Sequence, residues 1–461
     1  MLSNSLQNFF NIFNLKEFRL GIISAILFLQ IFLIGIWSNP LLESTLAPDS
    51  YDYLTLAGNL FDENANFRPP IYPVFLWISS LFGNIESAKN VFLMQLILHA
   101  LNILICFLFL NYLKVSVKLA FFVCLIAGIN PSQLYHASNI LPEMLLCSVI
   151  TICWILSLFF IYNSGNFFPT LVLTLIGVTS GLAALTKPVW ILGIFPILIS
   201  ILVLNNYKKI SRKKISTLLI GAHFLIILFW NVINHIKNVP LQRGKTLTVN
   251  ICMASIRSGL IKYGQGTPIY EQLLRNGNLK QALLLNGEDN QKFRNIYASL
   301  SWEQRYDPQF ANRIFQNAKL EFAISQLKYW HYFFMNRMFS PNKKESFIKL
   351  PEGGKRLYVV LYSYFYRPIM PILLIMSTII IIFKKKYRTV ILTSLAILIY
   401  FSSVVIMFSK SQSSVMRMRV PVEIILFICT LYPIMDLLKN YYVEKSKKYK
   451  ATLSSLYIDR S

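Results

Sequence analysis

Residues 90–113 read NVFLMQLILHALNILICFLFLNYL, an apolar run with no Asp, Glu, Lys or Arg that closes on Lys114 and Lys118. It exceeds the ~20 residues an α-helix needs to cross a bilayer. Hydrocarbon offers no water to backbone amides, so such a segment satisfies them by folding into a helix. Similar runs recur on both sides of it. Across 461 residues, 55% are hydrophobic and 14% charged, against roughly a quarter charged in soluble domains. The sequence therefore predicts an all-α, multi-span membrane protein.

Taken in order, the expected spans cover 19–37, 90–113, 120–129, 144–162, 168–185, 189–204, 215–232, 358–383, 389–408 and 420–438, about ten in all. Asn130-Pro131 breaks the third run, and SQLYHASNI after it reads as a loop. Thr186-Lys187-Pro188 separates the fifth run from the sixth. Residues 1–18 form an amphipathic lead suited to a membrane surface. No A-x-A-like site follows the first run, so it reads as a retained helix.

Three parts follow from this pattern. Residues 1–233 make an N-terminal transmembrane module with a first outer loop at 39–89. Residues 234–355 are the one large polar region, an insert, and 356–461 carry the last spans and a basic tail. Phe315, Leu320, Ala323 and Leu327 fall at helical spacing within 312–338. They predict a mostly helical outer insert that is either an acceptor-choosing cap or a spacer.

The net charge of +25 would point to nucleic acid on a soluble domain. Here the cations cluster at the ends of apolar runs: Lys208-Lys209, Arg212-Lys213-Lys214, Lys384-Lys385-Lys386-Arg388 and Lys445-Ser446-Lys447-Lys448. That is the positive-inside pattern, and it puts the N-terminus in the cytoplasm. The 39–89 loop, Glu143, Lys187, the insert and residues 410–419 then lie outside. Lysine-rich, low-complexity loops suggest an AT-rich bacterial gene, hence a bacterial inner membrane. Of six cysteines, all but Cys252 sit inside apolar runs, and none has metal-ligand spacing.

The first outer loop carries the densest chemistry. Residues 48–75 read PDSYDYLTLAGNLFDENANFRPPIYPVF, with Asp49 and Asp52 at the start and Arg68-Pro69-Pro70 near the end. Asp-Ser before an apolar-periodic run is also a helix-capping signal, so Asp49 reads as a cap or as a base. Asp52 reads as a solvated first-turn acid. Arg68 is either a snorkelling interfacial residue or a phosphate contact, for which its planar fork is well shaped. Residues 72–82 form a second, short apolar helix along the interface.

Glu143 opens a span after Leu141-Pro142, as a cap favoured by the helix dipole or as a second acid. His136 reads as an interfacial residue. Lys187, Arg417 and Arg419 are anchors or contacts for an anion. Together these residues describe two carboxylates and several cations at one face. That arrangement suits a phosphate-linked lipid and a hydroxyl activated by a base.

In this arrangement the sequence resembles the GT-C integral-membrane glycosyltransferases, closest to the family 39, protein O-mannosyltransferase-like group that includes the lipid A aminoarabinose transferases. The resemblance rests on Asp49, Tyr53, Ala57, Arg68-Pro69-Pro70 and Tyr72-Pro73, then Asn130-Pro131, Tyr135 and Leu141-Pro142-Glu143. It continues with Gly181-Leu182-Ala183, Lys187-Pro188 and Arg417-Met418-Arg419-Val420-Pro421. It implies a GT-C fold and a sugar moved with inversion from a polyprenyl phosphate to a lipid, glycan or protein acceptor outside the cytoplasm. Asp49 would be the general base and Glu143 the second acid. Arg68, with Lys187, Arg417, Arg419, Tyr53 and Tyr72, would meet the substrate and its lipid phosphate. No DxD is present and Asp49 and Asp52 fall one turn apart, so the residues indicate no metal and no cofactor.

Two rival readings stay open. A flippase or transporter would carry charge inside its spans, whereas here the spans read as nearly free of charge and no internal repeat is evident. A polysaccharide polymerase or ligase would share the donor chemistry without the Asp49–Arg68 stretch.

Overall fold

The computed structural model describes residues 15–39, 42, 44, 46, 48–59, 68–83, 88–163, 168–204, 210–236, 268–277, 320–321, 324, 366, 372, 374–380, 384–408 and 419–458. Among them every regular element is helical. The chain runs through α1 (Leu15–Ser38), α2 (Pro48–Gly58), α3 (Ile71–Ser80), α4 (Ala88–Tyr112), α5 (Val117–Gly128), α6 (Pro131–Ala137) and α7 (Glu143–Tyr162). It continues with α8 (Pro169–Thr186), a 3₁₀ turn (Pro188–Trp190), α9 (Ile194–Leu204), α10 (Arg212–Ile236), α11 (Pro268–Arg275), α12 (Lys385–Phe408) and α13 (Val420–Ile458).

Seven described helices are long and apolar enough to cross a membrane, or eight if the bent pair α5–α6 counts as one. The protein is an α-helical, multi-pass membrane protein. Two runs account for the shortfall from ten. The sixth run is split, and α9 with its 11 residues is about 16 Å long, half the hydrocarbon thickness. The eighth run lies largely outside the described residues, with helix over 374–380. Also outside them are 1–14, most of the insert including nearly all of 312–338, Cys252, and the 409–418 loop with Arg417.

Two further expectations are corrected. The segment after Asn130 is a helix: the Asn130 side chain accepts from the Ser132 amide at 3.0 Å and Pro131 holds the first helical position, a standard start signal. It leaves α5 at 56°. The basic tail continues α13, whose 39 residues reach about 58 Å, well beyond a bilayer core.

The described spans share one core, with buried residues from Leu27 on α1 to Tyr432 on α13. The C-terminal helices α12 and α13 thus pack into the N-terminal module. Trp154 Nε1 donates to Ser394 Oγ at 3.0 Å between α7 and α12. Lipid tails give helices no hydrophobic drive to associate, so close approach through small residues counts. At Gly177 an added Cβ would lie 2.7 Å from Ala222 Cβ, and at Gly181 2.9 Å from the His223 oxygen. These two glycines, one turn apart, let α8 and α10 touch.

Polar groups inside the bundle were missed by the sequence reading. Gln95, His99 and Asn102 form a buried stripe on α4, at the i, i+4, i+7 spacing of one helix face. His99 Nε2 donates to the Gly128 oxygen at 2.8 Å, satisfying a carbonyl that the end of α5 leaves open.

Candidate functional site

Helix α2 begins with proline at its first position and Asp49 in its first turn, both favoured there. Asp49 and Asp52 lie three residues apart, so their carboxylates share a face. Arg68, just before the prolines that open α3, meets both. Its Nη2 and Nε donate to Asp52 Oδ2 at 2.7 and 3.2 Å, and Nη2 also donates to Asp49 Oδ1 at 3.1 Å. Asp52, expected as a solvated acid, is therefore the main partner of Arg68. The side chains are 24% (Arg68), 37% (Asp49) and 41% (Asp52) exposed. The cluster is open enough for a ligand to reach.

Beneath it lies an aromatic floor. The Arg68 guanidinium sits 5.2 Å from the centre of the Tyr53 ring, within cation–π range. Tyr53 meets Tyr72 edge-on at 5.1 Å, and Tyr72 stacks on Phe75 at 5.9 Å. Burial opposes the Arg68 charge, but Tyr53, Asp52 and Asp49 together outweigh it and raise its pKa. Tyr72 is fully buried. Burial first, then the nearby Glu143 and Tyr53, push its hydroxyl well above the ordinary tyrosine range. Tyr53 and Tyr72, expected as substrate contacts, are both buried.

The floor leads to a second ion pair. Glu143, the first residue of α7, is fully buried, and Lys187 Nζ donates to its Oε1 at 2.8 Å. Lys187 caps α8 in extended conformation, φ −154° and ψ 126°, ahead of Pro188. The Lys187 charge is thus taken up by Glu143. Between the two groups, Ser50 Oγ donates to the Ile140 oxygen at 2.8 Å and seats α2 on the turn before α7. Helix directions put the rim cluster, Glu143, Lys187 and Arg419 at one end of the bundle, with Lys114, Arg212–Lys214 and Lys385 at the other.

A third group was not foreseen as such. Arg419, 2% exposed, donates from Nε to Glu423 Oε1 at 2.5 Å. Asn130 Nδ2 and Gln133 Nε2 donate to Glu423 Oε2 at 3.0 and 3.4 Å. Glu423 is fully buried. The signal available was its place four residues after Arg419, the spacing of a helical ion pair. His136, expected at the interface, is 2% exposed and packs edge-on against Tyr135.

Among the described residues no group of three or more His, Cys, Asp or Glu is placed to hold a metal ion; the acids near the rim face Arg and Lys instead. Chemically, a half-exposed carboxylate beside a charged guanidinium can accept a proton while the cation meets an anion. No family model, curated protein or solved structure matches the chain.

Proposed function

We propose that this chain is an integral-membrane glycosyltransferase of GT-C type, acting on a polyprenyl-phosphate-linked sugar at the outer face of a bacterial inner membrane. The observation that carries the reading is Arg68 held between Asp49 and Asp52 in a partly open cluster at the bundle rim. The resemblance in residue order supports it.

In the proposed reaction a hydroxyl of a lipid, glycan or protein acceptor attacks the anomeric carbon from the face opposite the phosphate. The new bond forms from the acceptor oxygen to that carbon. The bond from the carbon to the phosphate oxygen breaks, and its electrons leave with the polyprenyl phosphate. Asp49 takes the hydroxyl proton. The role is given to Asp49 because Asp52 takes two bonds from Arg68, at 2.7 and 3.2 Å, and Asp49 one, at 3.1 Å. Arg68 offsets the charge developing on the phosphate, an effect that strengthens where water is scarce. Glu143, ion-paired and buried, orients the floor under the site.

A lipid-linked-sugar flippase is the second reading, favoured by the buried Gln95, His99, Asn102 and Glu423 within the bundle. Labelled donor in proteoliposomes separates the two. A transferase forms a new sugar–acceptor bond and releases polyprenyl phosphate. A flippase moves intact donor between leaflets and forms no new bond.

A further inference from the structure

We infer that Glu423 is a positioning residue for the acid helix α2, acting through the bent third span. The inference rests on reading α2 as the acid-bearing part of a transfer site.

Helix α6 has 7 residues, too few to hold itself together by its own hydrogen bonds. Its direction is set from outside. At its start, Asn130 and Gln133 both donate to Glu423, and Gln133 Nε2 also donates to the Val420 oxygen at 2.7 Å. Arg419 holds the other carboxylate oxygen of Glu423. A carboxylate removed from water is costly unless its lone pairs are taken up, so Glu423 draws these donors into one arrangement. That fixes the α5–α6 bend against the start of α13.

At the far end of α6, Gln95 Nε2 donates to the Ala137 and Asn139 oxygens at 3.0 and 2.8 Å. The next carbonyl, Ile140, takes the Ser50 hydroxyl. Ser50 adjoins Asp49. A tilt of α6 would therefore carry Ile140, Ser50 and Asp49 with it, and a shift of ~1 Å at a reacting group can cost ~100-fold in rate. The same turn leads into Glu143, so Asp49 and Glu143 answer to one seat.

The test uses the full chain in membranes, with Cys252→Ser to clear the background and Ala57→Cys as the reporter. Ala57 is 1% exposed and clusters with Tyr72 and Ile140 on the seat of α2. A membrane-impermeant maleimide should label the introduced thiol slowly while Glu423 is intact. In Glu423→Gln the labelling should run about tenfold faster, as local opening of α2 requires. In the same variant kcat for transfer should fall about tenfold with donor KM within twofold, and the thermal midpoint should fall as the buried Arg419 loses the Glu423 charge. Should Glu423→Gln fail to accumulate, Gln133→Leu leaves the Arg419 pair intact and should give the same rise in labelling, smaller in size. Equal protection of the thiol in variant and parent overturns the inference, as does faster labelling with unchanged kcat. Labelling needs no turnover, so a chain that transfers no sugar, which would sink the proposed function, still decides this question.

Discussion

The rim cluster and the two buried pairs are built from the same chemistry, carboxylate against cation, yet differ in their access to water. Arg68, Asp49 and Asp52 keep a quarter to two-fifths of their side-chain surface exposed. Glu143 and Glu423 keep none, and Lys187 and Arg419 nearly none. An exposed pair is worth little to stability, roughly 0–1 kcal/mol, and can exchange partners with an arriving anion. A buried pair can exchange nothing without stranding a charge. On the proposed reading similar charges do two jobs: the open cluster meets substrate, and the buried pairs hold the frame around it.

The sharpest way to break this contrast is to remove one buried partner. Glu143→Ala removes the carboxylate that Lys187 Nζ meets and should destabilise the chain by about 3–5 kcal/mol, read as a large fall in thermal midpoint and in the folded yield. The double change Glu143→Leu with Lys187→Met should recover most of that loss and restore transfer. Recovery of the fold without recovery of transfer would make Glu143 a chemical group and dissolve the contrast.

A smaller effect is expected at Asp52. Asp52→Asn weakens two charge-assisted bonds to Arg68, and donor KM should rise about tenfold, equivalent to ~1.4 kcal/mol, while the thermal midpoint stays within a few degrees. A fall in midpoint as large as that of Glu143→Ala would place Asp52 with the frame.

The smallest effect belongs to the floor between the regions. The Tyr72 hydroxyl is buried without a hydrogen bond among the described residues. Tyr72→Phe removes a polar atom that gains nothing from its surroundings, and both stability and transfer should change by less than about threefold. A large loss of transfer would return Tyr72 to the substrate contacts.

Local signals carried much of the fold in the sequence. The apolar runs gave most spans to within a few residues, and Asn130-Pro131 marked the bend because capping and proline geometry act within one turn. The same locality explains what was missed. Gln95, His99 and Asn102 look like isolated polar residues in an apolar run until their helix is packed against α5, α6 and α7. Glu423 reads as part of an apolar span because its donors Asn130 and Gln133 lie almost three hundred residues away. For the site, Asp49, Arg68, Glu143 and Lys187 were all legible as chemistry. The pairing of Lys187 with Glu143 was not, since it depends on where α8 ends beside α7. Neither was the choice of Asp52 as the closer partner of Arg68, since it depends on how the chain returns to α2.

The most direct test is the transfer rate of Asp49→Asn against wild type, with labelled sugar on a polyprenyl-phosphate donor and equal amounts of folded protein. The expected result is a loss of ~100-fold or more, the scale of a missing general base, with a thermal midpoint close to wild type. Equal transfer by both proteins would contradict the account.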